Sequence, residues 1–102
     1  LEGLDPDIPK ILVTHQPPYG TKADSTWTGK HVGSHAIREF IELEQPLICF
    51  TGHIHEAVSI DTIGKTKIIN SGMISGSNRY AYTEIVGGQV STLKLERAHP
   101  YN

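Results

Sequence analysis

The sequence predicts an α/β fold with one main helix and a β-rich C-terminal region. Two short apolar runs, Ile11-Leu12-Val13-Thr14 and Leu47-Ile48-Cys49-Phe50-Thr51, flank a stretch of helical periodicity, the order expected of a parallel strand pair joined by a crossover. From Ala57 onward the pattern becomes a series of short β runs separated by glycine turns. The 102 residues are 37% hydrophobic and show no internal repeat, so residues 1–102 read as one domain with one core.

Element by element, Leu1 to Lys10 carries Pro6, Pro9 and three acids and suits an extended lead-in. Ile11 to Thr14 reads as a buried central strand, stopped by Pro17-Pro18, with His15 just past its C-terminal end. Tyr19 to Gly33 fits no period and is expected to be a loop of about 15 residues, long enough to suggest a functional role. Ser34 is a helix cap, and Ala36, Ile37, Phe40 and Ile41 form one apolar stripe of a helix closed by Pro46. Leu47 to Thr51 is a second buried strand that runs into Gly52-His53-Ile54-His55-Glu56. Strands are expected from Ala57 to Ile63, Thr66 to Asn70, Arg79 to Val86 and Gln89 to Leu95. Their connections are Gly64-Lys65, the Ser71–Asn78 loop and a Gly87-Gly88 hairpin turn.

Composition excludes several classes. No apolar run approaches the roughly 18 residues of a membrane span, and no secretory signal pattern is present. The net charge of -2 argues against a strongly electrostatic partner such as nucleic acid or a membrane surface. The single cysteine, Cys49, cannot form an internal disulfide and reads as a small buried hydrophobe, consistent with a cytoplasmic setting.

What stands out is six histidines. Neutral imidazole is the commonest protein ligand for borderline divalent metals. His15 and the His53/His55 pair follow the two strand candidates directly, where ligands gather in open α/β sheets. In extended backbone, side chains two apart share a side, so His53 and His55 are expected to face one cavity, with Gly52 allowing the turn. His31 and His35 are four apart, but Gly33 and Ser34 intervene, so they are not expected to pair on a helix. His99 lies in the polar tail and reads as solvated. Trp27 is expected to anchor its loop to the core, ahead of serving as a lid over substrate. Arg79 fits a salt bridge at a strand edge better than a phosphate contact.

Three segments, Val13-Thr14-His15-Gln16-Pro17-Pro18, Gly52-His53-Ile54-His55-Glu56 and Asn70-Ser71-Gly72, resemble the last three signature blocks of the calcineurin-like metallophosphoesterases. The resemblance runs from about Ile11 to Val86, includes the strand carrying Arg79-Tyr80-Ala81, and is closest to the small prokaryotic members of that superfamily. It implies that His15 and His53 bind one metal of a two-metal centre and His55 the other, and that the domain is part of a two-sheet sandwich. Two divalent ions, manganese, iron, zinc or nickel, would activate water for phosphate mono- or diester hydrolysis. His31, Glu56, Asn70 and Gly72 are candidates for substrate-side contacts or for orienting the ligands.

The family's D-x-H, G-D-x-x-D and G-N-H-[DE] blocks do not occur in this sequence. The chain, which begins at Leu1, therefore looks like the C-terminal portion of such an enzyme. Its general-acid histidine is expected in an N-terminal half, and no catalytic residue is assigned within this chain. Alone it is expected to hold at most one metal ion, weakly, and to show little or no turnover. Its expected partners are a phosphate ester, the N-terminal half of the same domain, and a second copy through an exposed sheet. The alternative is a non-catalytic, phosphoesterase-like scaffold or protein-interaction module.

Overall fold

A computed structural model describes residues 5, 7–72 and 78–97, with the side chain of His55 outside that description. In chain order the elements are β1 (Ile11–Val13), α1 (His35–Glu44), β2 (Ile48–Thr51), β3 (Ser59–Ile63), β4 (Thr66–Asn70), β5 (Arg79–Val86) and β6 (Gln89–Arg97). Short 3-10 turns occupy Lys22–Asp24 and His55–Ala57. The fold is mixed α/β with one helix and two sheets, one of four strands in the order β1-β2-β4-β3 and one formed by β5 and β6.

The crossover reading holds. β1 and β2 are parallel, α1 lies between them in the chain, and β2 is also parallel to β4. Three consecutive C-terminal strand ends, at Val13, Thr51 and Asn70, therefore emerge on one side of the sheet. Leu12, Cys49 and Ile68 lie in one line of register and share a face. With Ala23, Ile41 and Ile63 they form the core, and Ile37 packs at its margin. Cys49 is fully buried there, and burial pushes its thiol pKa up, so it stays neutral and inert.

α1 begins where the sequence places it. The Ser34 hydroxyl accepts the Ile37 N–H at 3.1 Å, satisfying one of the helix's free donors. The helix ends at Glu44 and is closed, just before Pro46, by Gln45, whose backbone turns left-handed at φ 45°. The Gln45 side chain donates to the Ile41 carbonyl and accepts the Lys65 N–H, which ties the helix end to the β3–β4 turn. In the β5–β6 hairpin, Gly87 and Gly88 sit at φ 59° and 75°, the left-handed pair that a tight two-residue turn requires.

Two expectations need correction here. The Ile11–Thr14 run is not a central strand: among the described residues β1 is the sheet's edge, with Ile11 and Val13 exposed. A three-residue apolar strand looks the same in sequence whether its second flank is covered or open. The stretch from Tyr19 to Gly33 is a loop as expected, ordered by the Lys22–Asp24 turn and an antiparallel bridge between Ser25 and His31. Trp27 does not anchor this loop to the core: its side chain is 88% exposed. His99 and the middle of the Ser71–Asn78 loop lie outside the described residues.

Candidate metal centre at the strand ends

His15 leaves β1 and His53 leaves β2, and the parallel pairing brings the two together: their ring centroids are 4.5 Å apart, with planes tilted by 49°. Both histidines are exposed, so the pair opens to solvent. This juxtaposition joins residues 38 positions apart in the chain and follows from the parallel register together with the turn at His53.

His53 is aimed by an unusual backbone. The Ile54 N–H donates to the Gly52 carbonyl at 2.7 Å, closing a three-residue γ-turn with His53 at its centre at φ 68°. Left-handed backbone strains any residue with a Cβ, and such strain gathers at functional sites. The expectation that Gly52 supplies the turn is thus corrected. The positive φ falls on the histidine, and Gly52 is small because a Cβ there would stand 3.1 Å from the Gly72 carbonyl. The extended spacing expected of His53 and His55 is also absent, since His55 opens the His55–Ala57 turn.

Asn70 locks these segments together. Its buried amide donates to the Ala23 carbonyl at 2.9 Å and the Ile54 carbonyl at 3.0 Å, and its oxygen accepts the Gly72 N–H at 2.8 Å. One side chain thereby joins the Lys22–Asp24 turn, the His53 turn and the end of β4. Glu56 accepts the Trp27 N–H at 3.1 Å and so ties the loop to the segment that carries His55.

Asp24 was not among the sequence candidates, yet it organises the long loop. It is fully buried and accepts the N–H groups of Gly20 and Thr21 and, from across the loop, Gly33. Its fourth donor is His31 Nδ1, at 2.6 Å. Burial alone would raise the Asp24 pKa, but the His31 bond and the three backbone donors outweigh it and hold the carboxyl below the ordinary range. Gly33 is obligatory here, because a Cβ would lie 2.5 Å from the Pro17 carbonyl and 2.8 Å from Asp24 Cβ. The signal was present in Thr21-x-x-Asp24, the reciprocal pattern of a capping box, which the structure contains. Beside this pair, the Tyr19 ring stacks on His35 at 3.9 Å and stands edge-on to His31 at 5.7 Å. His31 and His35 do not share a helix face: His35 is the first residue of α1 and His31 lies outside it.

Among the described residues no group of three or more His, Cys, Asp or Glu side chains gathers closely enough to hold a metal ion. His15 and His53 form a pair, and a full centre needs further ligands.

No protein-family profile matches the sequence. The chain is 49% identical, over 64 residues, to an uncharacterized protein of Methanocaldococcus jannaschii, covering 59% of this chain and 29% of that protein. A crystal structure superposes with a TM-score of 0.70 at 25% identity, over 87% of this chain and 33% of the other. The chain thus spans about 29% of the length of its curated relative, and the same fold recurs inside a longer solved chain.

Proposed function

We propose that this chain supplies the C-terminal part of a metal-dependent phosphoesterase, the half that contributes His15, His53 and His55 to a two-metal centre in a two-sheet sandwich. The observation that carries the reading is the meeting of His15 and His53 at 4.5 Å from the ends of two parallel strands. Two imidazoles bound to one ion through nitrogens at roughly 2.1 Å stand with centroids roughly 4.5–5.3 Å apart when the angle at the ion is about 90–110°. The ring spacing is therefore compatible with a shared divalent ion at the narrow end of that range, and the remaining donors would have to come from outside the described residues. When bound, such an ion lowers the pKa of a coordinated water and neutralises phosphoryl charge.

The chain's own residues prepare that role. The γ-turn fixes the direction of His53, Asn70 holds that turn against the end of β4, and β1 presents His15 beside it. Preorganisation of this kind is what lets a weak surface pair become a ligand set. The missing donors would come from the N-terminal half. Its place is consistent with the open edge of β1, where Ile11 is 52% and Val13 74% exposed. Among the described residues no helix is long and apolar enough to cross a membrane, and a cytoplasmic setting accords with the free, buried Cys49.

Equilibrium dialysis against zinc or manganese tests the reading. Weak binding of about one ion per chain is expected, abolished in H15A and H53A. Absence of any binding by the wild-type chain overturns it. Hydrolysis of p-nitrophenyl phosphate and bis(p-nitrophenyl) phosphate is expected at background for the chain alone. In a longer polypeptide carrying both halves, it is expected to appear with metal and collapse in H53A. The same exposed β1 edge favours a second reading, a non-catalytic interaction module, and metal-independent association without hydrolysis in the longer polypeptide would select it.

A further inference from the structure

We propose that His31 contacts the phosphate ester through its Nε2 atom and that Asp24 is the residue that positions it. This rests on the phosphoesterase reading and extends it to a residue pair outside the metal ligands. Asp24 is a fully buried carboxylate whose oxygens accept Gly20, Thr21, Gly33 and His31. A carboxylate can only accept, so His31 Nδ1 must carry the hydrogen in the 2.6 Å bond. That bond fixes both the ring plane and the tautomer and leaves Nε2 as the free nitrogen. The His31 side chain is 40% exposed, so Nε2 belongs to a ring that solutes can reach.

Burying a carboxylate is costly, and three backbone donors already satisfy most of its capacity. Loop closure alone needs no imidazole as the fourth donor. A half-exposed imidazole held rigidly by a buried carboxylate is the arrangement by which proteins orient a histidine toward a reacting or bound group.

Location supplies the second argument. The Asn70 amide nitrogen bonds at once to the carbonyl of Ala23, next to Asp24, and to the carbonyl of Ile54, next to His53. The Asp24–His31 pair and the His53 turn are therefore joined through one buried atom. The Trp27–Glu56 bond ties the loop and the histidine segment a second time. The loop that carries His31 is thus tethered to the segment that carries His53, and on this proposal it is the wall that an anion held at His15 and His53 would meet. There the Nε2 lone pair can accept the hydrogen of a phosphate hydroxyl, or, once that proton has passed to the ring, Nε2–H can donate to the resulting phosphate oxygen.

The test uses the full chain labelled with nitrogen-15. Long-range proton–nitrogen spectra of the imidazoles are followed during titration with zinc and then with phenylphosphonate, a non-hydrolysable phosphate monoester mimic. The expected result has His31 protonated at Nδ1 in the free protein, zinc shifting His15 and His53, and phenylphosphonate then shifting His31 Nε2. H31A is expected to weaken phenylphosphonate binding about tenfold while leaving the zinc response intact, the fold-change of losing one charge-assisted hydrogen bond. D24N is expected to release His31 to the Nε2–H form preferred by unconstrained imidazole and to weaken phenylphosphonate binding toward the H31A level with the zinc response intact, a loss that a merely loop-closing aspartate would not produce. Should D24N fail to fold, the tautomer in the wild-type chain and the H31A comparison decide. If zinc shifts His15 and His53 but phenylphosphonate leaves His31 unmoved, or H31A binds it as tightly as wild type, the His31 proposal is overturned and the metal reading stands. If zinc moves neither His15 nor His53, the metal reading falls and the proposal with it.

Discussion

At His53 the chain accepts local strain to aim a side chain. A non-glycine residue at φ 68° costs on the order of 1–2 kcal/mol relative to right-handed backbone. H53G is expected to raise stability by up to about 1 kcal/mol, the relief being partly offset by the freer unfolded chain, while abolishing zinc binding. Urea denaturation with and without zinc measures both, and a stability loss in metal-free H53G would show that the turn is unstrained. Asn70 is the opposite case, a residue with every bond made. N70A leaves the Ala23 and Ile54 carbonyls without their donor, at about 1–3 kcal/mol for each buried group, and should loosen the His53 turn. Hydrogen exchange at Ile54 is the direct readout, since its N–H closes that turn. For Asp24 the sign follows from its depressed pKa. The folded value lies below the unfolded one, so its contribution is present above the ordinary aspartate range and is lost as pH falls through the folded value. D24N is accordingly expected to flatten the acid limb of the stability profile below about pH 4, as measured by chemical denaturation between about pH 2 and 7. The meeting of His15 and His53 was legible because parallel strands carry their C-terminal residues to one side. Asp24 was harder to see because Gly33 and His31 reach it from across the loop, and linear spacing does not encode that closure.

Elements were legible where the signal is local. Ser34 with its apolar stripe specified α1 to within a residue, and Thr66–Asn70 and Arg79–Val86 fall at their expected bounds because turn residues punctuate both ends. S34A removes the hydroxyl that caps Ile37 N–H and is expected to cost about 1 kcal/mol in denaturant unfolding. That loss should leave zinc binding intact, because the strand ends and not α1 aim His15 and His53. The long loop was illegible as an element, since its order comes from one buried carboxylate and a short bridge and not from any periodicity. Trp27 shows the limit of residue type as a guide. A tryptophan usually anchors, but here the Glu56 carboxylate holds its backbone N–H and the ring stays outside.

At the scale of the molecule, the decisive feature is the sheet's uneven completion. Among the described residues β2 and β4 are paired on both sides and largely buried, whereas β1 offers one unpaired side and two exposed aliphatic residues on one face. Parallel strands are rarely left open in this way, because unpaired N–H and C=O groups and bare apolar faces invite association. On the proposed reading, and with a relative of which the chain spans 29%, the β1 edge is where the rest of a longer domain would join. Val13, 74% exposed and paired to Phe50, separates a seam from a solvated edge. In the isolated chain V13K should change stability by no more than about 0.5 kcal/mol, as surface substitutions do, and should reduce concentration-dependent association in sedimentation velocity. In a polypeptide of the relative's length the same lysine would face a covering strand or sheet without a partner for its charge, at a cost of about 3 kcal/mol or more. Opposite outcomes in the two contexts would support a seam at β1, and equal tolerance in both would mean that water covers this edge and that the further ligands the proposed metal centre needs would have to reach His15 and His53 by another route.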